Sequence, residues 1–247
     1  MNRLEPVLLV GVAPLGESGA VARFLSAEQG LGAAYVHGAR GRRLRPVLQI
    51  GNRLSVDLVA RGDRQLPVAT PQLLDANLAM MRGAAAIALV TYVAALAAAL
   101  LPQAVPQPRL FAMADALLHG AGAGVDPLTL GSALVRFELA LLDELGAGLD
   151  LRTCAATGTS DDLAYVSPRS RQAVNRAAGA PWAARLLPLP AFLIGPAAAD
   201  ADAVEQGFRL SGHFLARDIL AGHMGRATLS ESRSHVVAML MERLQHG

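Results

Sequence analysis

Between residues 7 and 69 the apolar positions come in short runs, parted by turn-forming residues. Runs at 7–13, 20–25, 32–37, 47–60 and 65–69 predict about five strands, with Gly16-Glu17, Gln29-Gly30, Gly51-Asn52 and Gly62-Asp63 as the breaks between them. Within the fourth run the pattern alternates in part: Leu54, Val56 and Leu58 fall on one face, Arg53, Ser55 and Asp57 on the other. After Pro67 and Pro71 the period changes from two to between three and four. Residues 73–101, 109–119, 128–145, 203–220 and 230–244 read as helices, with a proline-rich link at 102–108.

One helix start is written out locally. Asp126 is a capping residue and Pro127 suits the first helical position, while Gly146 is a stop. Leu130, Leu134, Phe137, Leu141 and Leu145 recur at steps of three and four, so one face of that helix packs into a core. Residues 153–190, rich in Gly, Pro, Ser and Asp, are irregular or short-stranded. The predicted class is α+β, with a five-stranded barrel over residues 1–75 and a mainly helical domain over 76–247. The commonest barrel of this size that combines about five strands with oligonucleotide binding is the OB-fold.

Charge sharpens this picture. All 22 basic residues are arginine, since the chain has no lysine. Residues 1–75 hold 9 Arg against 6 acids, and residues 40–64 hold 7 Arg against 2, whereas residues 76–247 hold 13 against 14. Positive charge is thus concentrated on the barrel, as a polyanion partner requires. Its centre is Tyr35-Val-His-Gly-Ala-Arg-Gly-Arg-Arg-Leu-Arg-Pro46, which predicts a mobile cationic loop on a β-scaffold. The planar, permanently charged forks of Arg40, Arg42, Arg43 and Arg45 suit phosphate oxygens. Strand alternation adds Arg53, Arg61 and Arg64 as candidate phosphate contacts. With only Phe24 and Tyr35 as aromatic residues in the first 75 positions, binding led by backbone electrostatics is expected.

Catalysis finds little support. The six histidines are scattered, Asp161-Asp162 reads as a turn pair, and without lysine no phosphate-binding loop of the Gly-x-x-x-x-Gly-Lys type is possible. The single cysteine, Cys154, rules out an internal disulfide and a four-cysteine zinc site, and a reducing compartment is expected. Residues 83–101 carry no charge and reach membrane-spanning length, but they are alanine-rich with apolar residues at helical spacing, so a buried helix is expected.

Three stretches resemble the RecO family of DNA repair and recombination mediators, in its proteobacterial branch. The first is Leu15-Gly-Glu-Ser18, Phe24-Leu-Ser-Ala-Glu-Gln-Gly30, Gly38-Ala-Arg40 and Leu48-Gln-Ile-Gly51. The second is Arg136-Phe-Glu-Leu-Ala-Leu-Leu142, then Gly148-Leu-Asp150 and Cys154. The third is Asp161-Asp-Leu-Ala-Tyr-Val-Ser-Pro168, Gly179-Ala-Pro181 and Arg185-Leu-Leu-Pro-Leu-Pro190. The resemblance implies an OB-fold that binds single- and double-stranded DNA, a helical domain after it, no enzyme activity, no cofactor, and a cytoplasmic, nucleoid-associated place in recombinational repair. It further implies strand annealing, and joint action with RecR in loading recombinase onto DNA coated by single-strand-binding protein. Arg136 is then the candidate grip for that protein's acidic C-terminal tail, and Arg40 is the best-matched DNA contact.

The chain departs from the family pattern in three places. Where some members carry a four-cysteine zinc knuckle, Thr157 stands at the second cysteine's place, so no zinc is expected. Val12-Ala-Pro-Leu15 is apolar where the family usually has a basic residue, and the helix from Gly83 is unusually rich in alanine. Two other functions fit the residues alone: an RNA-binding adaptor outside repair, and a membrane-associated protein using residues 83–101.

Overall fold

The computed structural model describes residues 2–60, 62 and 65–246. The chain divides into two compact units, residues 1–125 and 126–247.

The first unit begins with five strands, β1 (Asn2–Leu15), β2 (Gly19–Ser26), β3 (Gly30–Val36), β4 (Arg53–Val59) and β5 (Val68–Asp75). They close into a barrel in the order β1-β2-β3-β5-β4. All neighbouring pairs are antiparallel except β3 and β5, which meet in parallel at Tyr35 and Val68. β1 serves both β2 and β4, and its register shifts in each ladder, between Leu4 and Val7 against β4 and between Leu9 and Gly11 against β2. This is the five-stranded OB-fold.

Val7, Leu9, Phe24, Val36, Leu54 and Val56 fill the barrel. One short helix and two longer ones follow it: α1 (Ala79–Arg82), α2 (Ala84–Leu100) and α3 (Pro108–Ala123). Because α2 covers the outer side of β1, Leu8 and Val10 are buried as well as Val7 and Leu9, so β1 reads as a continuous apolar run. That cover also draws the unit's boundary out to Val125, past the end of the last barrel strand.

Several boundaries differ from the sequence expectation. Residues 47–52 form turns, and β4 starts only at Arg53, because Leu48 is needed as a lid on the barrel core. β5 runs on to Asp75, held in register by β4 from Arg53 to Val59. The helix expected over 73–101 is therefore broken. Gly83, at φ +98°, separates α1 from α2, a conformation that costs glycine little and other residues much.

The second unit is built on α4 (Pro127–Glu144), α6 (Ala201–Phe214) and α7 (Arg226–His246). Asp126 caps α4 through the Thr129 amide at 2.9 Å. Between α4 and α6 lie strands β6 (Leu163–Val166), β7 (Ala173–Asn175) and β8 (Leu187–Pro188) in a small sheet of order β7-β6-β8, with α5 (Arg176–Gly179) after β7. No helix among the described residues is long and apolar enough to cross a membrane. α2 packs instead on β1 and α3.

Candidate nucleic-acid interface

The connection from β3 to β4 carries the arginine cluster. Expected as a mobile loop, it is wound into helical turns, with the amides of Leu44 and Arg45 bonded to the Gly41 carbonyl at 3.1 and 3.0 Å and that of Leu48 to the Leu44 carbonyl at 2.8 Å. The reason lies in the apolar residues between the arginines: Leu44, Val47 and Leu48 turn inward onto the barrel core. Arg40, Arg42, Arg43 and Arg45 are left exposed on the opposite side.

Both ends of the segment are fastened. At the start, the Arg40 amide bonds the Ser18 carbonyl at 3.3 Å, and its guanidinium bonds the Glu17 carbonyl at 3.2 Å, so Arg40 is folded onto the β1–β2 turn. At the end, the buried Asn52 donates its side-chain amide to the carbonyls of Pro46 and Val47 at 3.0 and 2.9 Å, while its side-chain oxygen accepts from the Asn77 amide at 2.8 Å. Sequence reasoning saw in Asn52 only a turn former; a buried amide with every polar atom satisfied is a positioning residue.

Arg40 and Arg45 also line an open cleft of about 350 Å³ with Val12, Pro14, Gly19 and Gln49. Among the described residues, no carboxylate pairs with Arg42, Arg43 or Arg45, so their charge faces solvent.

Arg53 stands apart. Its Nε and Nη2 donate to the two Asp115 oxygens at 2.7 and 2.6 Å, and Nη1 reaches Asp75 at 3.5 Å. The fork that would clamp a phosphate is already filled by a carboxylate of α3. Burial alone would raise the Asp115 carboxyl, but hydrogen bonds from His119 and Arg53, with their charges, bring it down to about 2. Arg61 and Arg64 lie outside the described residues.

In the second unit, the Arg136 guanidinium lies 4.9 Å from the centre of the Phe192 ring, and its Nη2 donates to the Phe192 carbonyl at 2.9 Å. Two positions on, Glu138 is fully buried. Arg233 of α7 clamps both its oxygens, at 2.8 and 2.9 Å, and Ser211 adds a third bond. The Arg-Phe-Glu-Leu motif thus holds one surface cation and one buried anchor, and only the first was visible in the sequence.

The loop of Cys154 does not fit a metal. Among the described residues, no three His, Cys, Asp or Glu side chains gather where an ion could be held. Thr157, at the place of a second cysteine, instead accepts a bond from the Asn175 side chain at 3.3 Å and bonds Thr159 at 3.0 Å. The Cys154 sulfur accepts the Asn175 amide at 3.3 Å. Burial raises this thiol, but hydrogen bonds from Thr157 and from the amides of Asn175, Ala156 and Thr157 prevail and bring it down to about 7. Asp162, with φ +45°, is a turn residue paired to Arg176 at 3.2 Å, in keeping with a turn rather than a catalytic pair.

A closed OB barrel with an exposed arginine segment, followed by a helical unit, defines a class of barrel protein suited to polyanions. Comparison with known proteins makes this specific. The family profile described as Recombination protein O C terminal matches residues 82–228. The DNA repair protein RecO of Rhodospirillum rubrum is 44% identical over 241 residues, which is 94% of each chain. That of Chelativorans sp. is 39% identical over 242 residues, covering 97% of this chain and 96% of the relative. That of Bradyrhizobium sp. is 45% identical over 226 residues, 89% of each. The chain belongs to the RecO family of DNA repair proteins.

Proposed function

We propose that the chain is a non-enzymatic mediator of recombinational repair that binds single- and double-stranded DNA through the turn segment of its barrel. Arg40, Arg42, Arg43 and Arg45 take phosphate oxygens, with little sequence preference, since phosphates carry no sequence information. The observation that carries this reading is the amphipathic build of the segment: Leu44, Val47 and Leu48 are spent on the core while four guanidinium groups are exposed together. Arg53 is left out of the set because its fork is taken by Asp115.

Neutralising phosphates on two complementary strands lowers the repulsion between them, so the same surface promotes annealing. With RecR, the chain then helps load recombinase onto DNA coated by single-strand-binding protein. Arg136, braced on Phe192, meets a carboxylate of that protein's acidic tail.

The test is binding of a fluorescent single-stranded oligonucleotide across a salt series. The wild type is compared with a variant in which Arg40, Arg42, Arg43 and Arg45 are all alanine. The wild type gives a steep negative slope of log affinity against log salt, and the variant's slope is shallower by about 3 to 4. Equal slopes would refute the assignment. Competition by RNA of the same length, binding as tightly as DNA, would favour an RNA adaptor instead.

A further inference from the structure

Building on the reading of the arginine segment as a phosphate-binding surface, we propose that Tyr35 is a stacking platform for an unpaired nucleobase. On this proposal it gives the barrel face a preference for single strands over duplex.

The two aromatic residues of the barrel part company in the structure. Phe24 is 4% exposed and belongs to the core, whereas Tyr35 is half-buried, on the outer side of β3, between the inward Ala34 and Val36. Its ring lies against the backbone of β2 at Gly19. A Cβ at Gly19 would fall 2.0 Å from the Tyr35 hydroxyl and 2.4 Å from its Cζ, so only glycine lets the ring lie there. The ring thus lies against the strand and remains partly exposed.

The His37 ring braces it edge-to-face, at 4.7 Å between centroids and 87° between planes. Gly19 also lines the cleft with Arg40 and Arg45, so the ring lies against a residue of the guanidinium-lined cleft. A base leaving a strand whose phosphates lie on those arginines meets an aromatic face beside them. Every base has a π face, so such a platform tolerates any sequence, but a base already paired and stacked in a duplex cannot reach it.

The test compares affinities for a single-stranded oligonucleotide, a duplex, and a single strand of equal length made of abasic sites. The proteins are the wild type, Tyr35→Phe, and Tyr35→Leu, which keeps bulk over Gly19 without an aromatic face. For Tyr35→Leu, affinity for the ordinary single strand falls about tenfold, with duplex affinity and salt slope unchanged, and Tyr35→Phe behaves as the wild type. The wild type loses the same factor on the abasic strand, and Tyr35→Leu loses nothing further on it. The abasic arm needs no substitution, so tight wild-type binding of the abasic strand overturns the proposal even if Tyr35→Leu folds poorly.

Equal weakening on single strand and duplex, an unchanged single-strand affinity, or an abasic strand bound as tightly as an ordinary one would each overturn the proposal. If salt-dependent binding persists in any of these cases, the phosphate reading survives alone. If the wild type shows no salt-dependent binding, both fall together.

Discussion

Arg53 on β4 and Asp115 on α3, 62 positions apart, meet through two parallel hydrogen bonds of 2.7 and 2.6 Å. The pair ties a barrel strand to the helix packed beside it, and it turns an arginine that looks like a phosphate ligand into a structural clamp. Arg53→Ala is therefore expected to lower stability by about 2 kcal/mol, since it takes the arginine fork away from the partly buried Asp115. DNA affinity per folded molecule stays within about twofold of the wild type, because the fork was never available to phosphate. Urea unfolding and oligonucleotide titration of one preparation check both halves.

Asp115, held by His119 as well as Arg53, also sets an acid limit. The Asp115 carboxyl, held at about 2, lies below the ordinary aspartate value near 4 of the unfolded chain. A depressed carboxyl stabilises the fold above the unfolded value and loses that contribution as pH falls toward the folded one. The contribution is thus full above about pH 4 and is lost between about pH 4 and 2; with 21% of the side chain open to water, it is worth about 1–2 kcal/mol. Urea midpoints of the wild type and Asp115→Asn, measured from pH 7 down to 2, should converge at the acid end. Curves that stay parallel throughout would remove Asp115 from the account.

In the second unit, Arg233→Ala removes the arginine clamp from the fully buried Glu138 carboxylate and is expected to cost about 3–5 kcal/mol. Replacing both partners by apolar residues, as in Glu138→Met with Arg233→Leu, should recover most of that loss, because no buried charge is left alone. Thermal unfolding of the two variants gives the comparison.

Gly30 faces two demands at once. Its φ is +65°, and a Cβ there would stand 1.8 Å from the Val105 carbonyl oxygen, a backbone atom that cannot swing aside. Gly30→Ala should cost about 2–4 kcal/mol and loosen the 103–107 connection that bonds back to Leu31 and Ala27. Hydrogen exchange at the Ala104 and Gln107 amides is the readout, with faster exchange expected at both.

Cys154 combines a thiol brought down to about 7 with 2% exposure. Hydrogen bonds favour the thiolate, but the packing covers the sulfur, so labelling by a disulfide reagent at pH 8 should be slow in the native protein. Low urea should speed it well below the global unfolding midpoint, as the loop opens. Rapid labelling without urea would show the sulfur to be open.

How much of this was legible in the sequence follows from the range of the interactions. The turns, the α4 cap at Asp126-Pro127, the periods of the helices and the arginine cluster are local, set by residues within one or two turns of each other, and the pattern of the chain fixes them. The α+β class and the barrel followed from the same short-range signals, and the family motifs lay in the order expected. Partners distant in the chain were not legible. Arg53 and Arg40 look alike along the chain, yet one meets a carboxylate 62 residues on and the other is exposed beside a turn. Likewise, Glu138 looks like one more polar residue on a helix until Arg233 arrives from 95 residues away. A period records which side of an element is buried, but not what comes to cover it. Only the tertiary structure decided which arginines are clamps and which are exposed, where pairing with β4 carries β5 into the expected helix, and that Tyr35 lies outside the barrel while Phe24 lies within.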